Sequence, residues 1–172
     1  MSYKVWNIEH IKDFLKTLGE KYKLSCINIP VRISKRMTRA LGLYVYKKNT
    51  LQPVEFVFSA YLLDGSYSEK EVMQVITHEF CHYYTDTIEG KPCKHNNKFK
   101  RNCILMGITD NTYSNYKLSD KLLEKVEKSY KYKIVCNNCG YTIKRKRIRK
   151  NFTKNYRCGK CLGTLKVIEL QK

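Results

Sequence analysis

The chain has 172 residues, of which 42% are hydrophobic, and a formal net charge of +19. That apolar share excludes wholesale disorder, and no apolar run approaches the ~20 residues of a membrane-spanning helix. The opening MSYKVWNIEHIKDF mixes charge into its apolar positions and carries no secretory leader pattern. The expected compartment is therefore the reducing cytosol, at the nucleoid in a bacterial or phage setting, with no membrane partner.

Residues 7–22 read as an amphipathic helix: Ile8, Ile11, Phe14, Leu15, Leu18 and Tyr22 recur at helical spacing, Asn7 serves as N-cap and His10 falls on the exposed face. Residues 27–33, 41–46 and 54–59 read as short strands rich in β-branched and aromatic side chains, with the basic stretch SKRMTRA between the first two. Ser68 and Glu71 form an S-x-x-E capping box that opens a second helix, with Val72, Val75, Ile76 and Tyr83 as its buried stripe. The pattern ends it near Thr85, ahead of a loop broken by Gly90 and Pro92. A third helix is expected over 96–106, with Phe99, Cys103 and Met106 on one side and Gly107 as its stop. Residues 107–117 read as an irregular connector, and 119–130 as a short charged helix resting on Leu122, Leu123 and Val126. The fold class is α+β, divided into a domain at 1–110, a connector with its helix at 111–132, and a small module at 133–172.

Three of the four histidines fall between residues 78 and 95. His78 and His82 are four apart, so on a helix they share a face with Cβ atoms ~5–6 Å apart and can reach one ion. Glu79 follows the first of them and points partly away, placing it beside an activated water rather than on the metal. That is the H-E-x-x-H arrangement of two ligands and a general base, here His78-Glu79-Phe80-Cys81-His82. A catalytic zinc needs a third protein ligand and an open position. Asp86, Glu89, Cys93 and His95 are the candidates downstream. His95 is the simplest, having the same ligand chemistry and a Gly/Pro loop long enough to fold back.

HEFCH followed by KHNNKF resembles the SprT-like domain, the group that includes bacterial SprT proteins and the Spartan proteases that degrade proteins crosslinked to DNA. RALG at 39–42 and SAYLLDG ahead of the second helix fit the same pattern. The resemblance covers residues 5–110 and implies a compact zincin-like metallopeptidase, a small three-stranded sheet packed on helices. It implies three histidine ligands, His78, His82 and His95, and Glu79 as base. The family usually has His-Gly at the third ligand, whereas here it is His95-Asn96. Glycine there would permit φ > 0, and Asn is among the best-tolerated alternatives in that region.

The eight cysteines split into two kinds. Cys26, Cys81, Cys93 and Cys103 are scattered and read as small core residues. Cys136 and Cys139, then Cys158 and Cys161, form two CxxC pairs at the spacing of a structural zinc site, which defines a β zinc ribbon whose folding depends on the metal. The chain is thus expected to hold two zinc ions, one catalytic and one structural. Residues 131–172 carry 13 Lys and Arg against one acid, Glu169. Between the pairs, Lys144, Arg145, Lys146, Arg147, Arg149 and Lys150 interleave with Tyr141, Ile143, Ile148, Phe152 and Tyr156. A β-hairpin there would present the cations to phosphates and the aromatics to the interior or to bases. The expected partners are DNA, single- or double-stranded and without sequence preference, and proteins bound to it, met by a monomer. The competing class is a non-catalytic nucleic-acid-binding adaptor with structural zinc sites.

Overall fold

A computed structural model of the chain describes residues 3–109 and 118–170. It resolves two compact units, Met1–Ser119 and Asp120–Lys172. Most of the expected 107–117 connector lies outside the described residues. The α4 helix, Asp120–Lys128, falls in the second unit. It buries Leu122 and half-buries Val126, but Leu123 is 44% exposed, so only part of the expected apolar contact forms.

In the first unit, α1 spans Ile8–Lys21 and buries Ile11, Leu15 and Leu18. Its N-cap is Asn7, whose side chain accepts from His10 N at 2.9 Å. His10 is part of the same device: its Nδ1 accepts from Asn7 N at 3.3 Å, a reciprocal capping box with histidine in the place usually taken by Glu or Gln.

Three strands follow: β1 at Val31–Ser34, β2 at Gly42–Tyr46 and β3 at Pro53–Ser59. Their order is β1-β3-β2, with β1 parallel and β2 antiparallel to β3, so β2 lies at a sheet edge. The strand expected over 27–33 is shortened. Ile27–Ile29 forms a turn, closed by Ile29 N onto Cys26 O at 3.0 Å, and Ile27 stands out in solvent. Pro30 has no N–H to give a ladder, and pairing starts just after it.

The long helix α2, Glu69–Glu89, starts at the expected Ser68 box: Glu71 N donates to Ser68 Oγ, and Ser68 N to Glu71 Oε2. It runs one turn past Thr85 and stops at Gly90, which adopts φ +62. Tertiary bonds hold that extra turn, since Asn102 Nδ2 donates to Thr85 Oγ1 at 2.9 Å and Cys93 N donates to Asp86 Oδ1 at 2.8 Å. Helix α3, Asn97–Leu105, ends in a Schellman motif, with Ile108 N on Cys103 O and Gly107 N on Ile104 O at φ +72 for Gly107. Phe56, Phe58, Leu62, Val72, Val75, Ile76 and Phe80 are buried in the core of this unit. Burying each large side chain contributes roughly 1.5–3 kcal/mol.

The second unit holds an antiparallel sheet of order β5-β4-β6, with β4 at Tyr132–Cys136, β5 at Thr142–Arg145 and β6 at Leu165–Glu169. The basic stretch between the cysteine pairs is therefore not a hairpin in itself. Its first part, β5, pairs back onto β4, which ends at the first cysteine, Cys136. Its second part leaves the sheet and forms the short helix α5, Phe152–Asn155.

Candidate metal centres

The i,i+4 spacing on α2 places His78 and His82 side by side, ring centroids 4.9 Å apart. The loop after Gly90 brings in His95, with His95 Nε2 3.1 Å from His82 Nε2 and its ring 5.2 Å from His78. Ligand atoms of the three residues lie within 4.8 Å of one another. Zn–N bonds of ~2.0–2.1 Å in a tetrahedron place nitrogens ~3.3 Å apart, close to the separation of His82 and His95. His82 is pushed down to about 3, by burial first and then by His78 and His95, so it stands neutral with a nitrogen lone pair to offer.

The other three candidate ligands serve elsewhere. Asp86 is buried and accepts from Cys93 N, Glu89 pairs with Lys98, and Cys93 is a buried loop residue. Burial raises the Asp86 carboxyl, partly offset by the Cys93 N–H. Phe99, fully buried, is the residue that motif reading missed as part of the site. It stacks on His82 at 4.2 Å and 20°, and lies 4.8 Å from His95 and 5.1 Å from His78. Its position four residues after His95, in the first turn of α3, was the available signal.

Asn96 corrects the backbone argument made for it. Its φ is −74, so no left-handed geometry is needed. It is the N-cap of α3, with Oδ1 accepting from Lys98 N at 3.0 Å and Phe99 N at 3.1 Å. Asn is among the best N-caps and Gly is accepted there too, so Asn in place of the expected glycine suits this helix start. The left-handed residue in this loop is Lys94, at φ +47.

Glu79 is 3% exposed, and its Oε2 accepts from Tyr44 N of β2 at 2.8 Å. A cavity of about 260 Å³ is lined by Leu43, Tyr44 and Tyr46 of β2, by Glu79, His82 and Asp86 of α2, and by Lys94 and His95 of the loop. Burial raises the Tyr44 phenol well above its ordinary value, so it stands protonated beside the site.

These features agree with the comparisons. The sequence matches the SprT-like family over residues 11–115, a span that includes all three histidines and Glu79. The chain belongs to the SprT-like family. It is 32% identical to a "Protein SprT-like" of Oceanobacillus iheyensis, covering 80% of this chain and 81% of that one. It is 30% identical to a "Protein SprT-like" of Bacillus cereus, covering 90% and 94%. The latter match is longer than the first unit, so it extends into the cysteine-bearing one. No solved structure matches.

In this SprT-like chain the second cluster comprises Cys136, Cys139, Cys158 and Cys161, again with ligand atoms within 4.8 Å of one another. Cys136 Sγ lies 3.5 Å from Cys161 Sγ, and Cys139 Sγ 3.7 Å from Cys158 Sγ. Zn–S bonds of ~2.3 Å predict ~3.8 Å. Backbone N–H groups turn onto the sulfurs: Cys139 N faces Cys136 Sγ at 3.5 Å, and Lys160 N faces Cys158 Sγ at 3.4 Å. The Cys139 N–H leads in bringing Cys136 down to about 6, and the Lys160 N–H leads in lowering Cys158, whereas Cys161, despite the lowering Gly163 N–H, is raised by the neighbouring Cys139 and Cys136 sulfurs; the first two favour the thiolate that binds metal.

The glycines of the ribbon serve different ends. Gly140 takes φ +70 after the first pair, but after the second the equivalent left-handed residue is Leu162 at φ +57. Gly163 instead makes room for Asn138, whose Cγ would sit 2.7 Å from an added Cβ, and Gly159 meets nothing.

A cavity of about 620 Å³ in the same unit is lined by Arg145, Arg147, Arg149 and Arg157, together with Tyr141, Phe152 and Tyr156. Phe152 and Tyr156 stack at 4.8 Å, and Lys160 stands 4.5 Å over Tyr141. Of the six basic residues singled out from sequence, Arg145, Arg147 and Arg149 line this groove. Lys144 pairs with Glu127 at 2.5 Å, Lys146 is half-buried, and Lys150 is exposed away from it. Arg157 was missed; its place beside Cys158 was the signal.

Proposed function

We propose that this chain is a zinc-dependent endopeptidase acting on proteins bound or crosslinked to DNA, with the ribbon as its nucleic-acid contact. The observation that carries this reading is the convergence of three imidazole nitrogens beside a buried glutamate gripped by a backbone N–H. His78, His82 and His95 would hold a catalytic zinc and leave one position open; the four cysteines would hold a structural one with none open. A zinc held by the three histidines would supply an acidified water and a polarised scissile carbonyl. Glu79 accepts the proton of the attacking water on its carboxylate and returns it to the leaving amine nitrogen. The Tyr44 N–H fixes one carboxylate oxygen without supplying a proton of its own. His82, neutral and stacked on Phe99, keeps its ring oriented.

DNA contact is supported by the four arginines and stacked aromatics of the ribbon groove, a combination suited to phosphates and unstacked bases without sequence readout. The site of action that fits reduced cysteines is the cytosol. The test is digestion of a DNA-binding protein by zinc-loaded chain, with and without DNA, against Glu79→Gln. The variant should retain two zinc ions per chain and lose roughly 10²–10⁴ in rate. Full cleavage by Glu79→Gln would overturn the mechanism, and tight zinc without any proteolysis would favour the adaptor.

A further inference from the structure

Gly42 is the first residue of the edge strand β2, paired with Phe58 of β3, where a glycine adds no side-chain packing. Its φ is outside the left-handed region, so the backbone accepts any residue there. What an added side chain would meet is Glu79: an ideal Cβ falls 2.7 Å from Glu79 Cγ, 2.9 Å from Oε1 and 3.1 Å from Cδ. Two residues along the same strand, Tyr44 N donates to Glu79 Oε2 at 2.8 Å. One position thus supplies the space for the carboxylate, and the next but one supplies its grip.

We infer that Gly42 is a positioning residue for Glu79, and that the absence of a side chain at 42 is required by the Glu79 side chain rather than by the backbone of β2. This rests on the reading of Glu79 as proton acceptor. The atoms that must yield to a methyl at 42 are Cγ, Cδ and Oε1 of the buried Glu79 side chain, not backbone. An alanine would therefore leave β2 in place and push the carboxylate off the Tyr44 N–H. Displacement by about 1 Å is enough to lose on the order of a hundredfold in rate.

The experiment pairs kinetics with a stability cycle. In Gly42→Ala, kcat for a protein substrate should fall about a hundredfold, with KM and zinc affinity unchanged. Unchanged kcat, or a fall matched by loss of zinc, would overturn the inference. Separately, Gly42→Ala should lower the thermal midpoint of the metal-stripped protein, whereas in a Glu79→Ala background it should not. An equal effect in both backgrounds would mean that Glu79 is not what keeps this position a glycine. The cycle needs no activity. If the native chain cleaves nothing, the catalytic role of Gly42 falls with that of Glu79, while the coupling between the two residues still stands or fails by itself.

Discussion

The backbone N–H of Cys93 donates to Asp86 Oδ1 across 2.8 Å, tying the loop that delivers His95 to the helix that carries His78 and His82. The bond spans seven residues and is buried, so solvent does not compete for it. Asp86 lies one turn beyond His82, and its carboxylate anchors that loop rather than joining the metal cluster.

Removing this anchor should loosen the third ligand. Asp86→Ala should weaken metal binding at the histidine site by about ten- to hundredfold, measured by competition with a chromophoric chelator. Asp86→Asn, which keeps an acceptor oxygen, should stay near the native value. Equal loss in both variants would mean that the negative charge matters rather than the tether.

The capping role of Asn96 predicts a specific ranking. Asn96→Ala should cost about 1 kcal/mol of stability in the first unit, and Asn96→Gly only a few tenths, by chemical denaturation. A left-handed residue would reverse the weighting, with Gly clearly more stable than Asn.

Acid should destabilise the metal-stripped protein through His82. Its folded value of about 3 lies below its ordinary 6.5, so the unfolded chain takes up a proton that the folded one refuses. The contribution is complete above pH 6.5 and is lost as pH falls toward 3. The thermal midpoint should decline across that window, and the decline should flatten in His82→Gln.

Leu162 holds a left-handed backbone while 78% exposed, so it bears strain and little packing. Leu162→Gly should stabilise the metal-loaded ribbon by roughly 0.5–1 kcal/mol, read as slower metal release to chelator. Cys139→Ser, by contrast, should unfold the ribbon and leave the first unit's melting unchanged.

The parts legible in the sequence are those written in short-range chemistry. Ser68 and Glu71 cap each other three residues apart, His78 and His82 share a face four apart, and each CxxC closes on itself. Elements fixed by distant partners were misjudged. The last turn of α2 depends on Asn102, 17 residues beyond Thr85, whereas β5 pairs with β4 across the first cysteine knuckle rather than within the basic stretch itself. Gly42 stood in view within RALG, yet its reason is a glutamate 37 residues away. Phe99 read as a core residue because burial and ring stacking leave the same apolar imprint in a sequence.

All three histidine rings rest on the one phenyl ring of Phe99, which belongs to α3. The position of that helix and the geometry offered to an ion are therefore a single variable. An ion that binds only the closed arrangement adds its binding free energy to the resistance of α3 against local opening. Amide hydrogen exchange along Asn97–Leu105 would consequently report occupancy of a site to which that helix contributes no ligand.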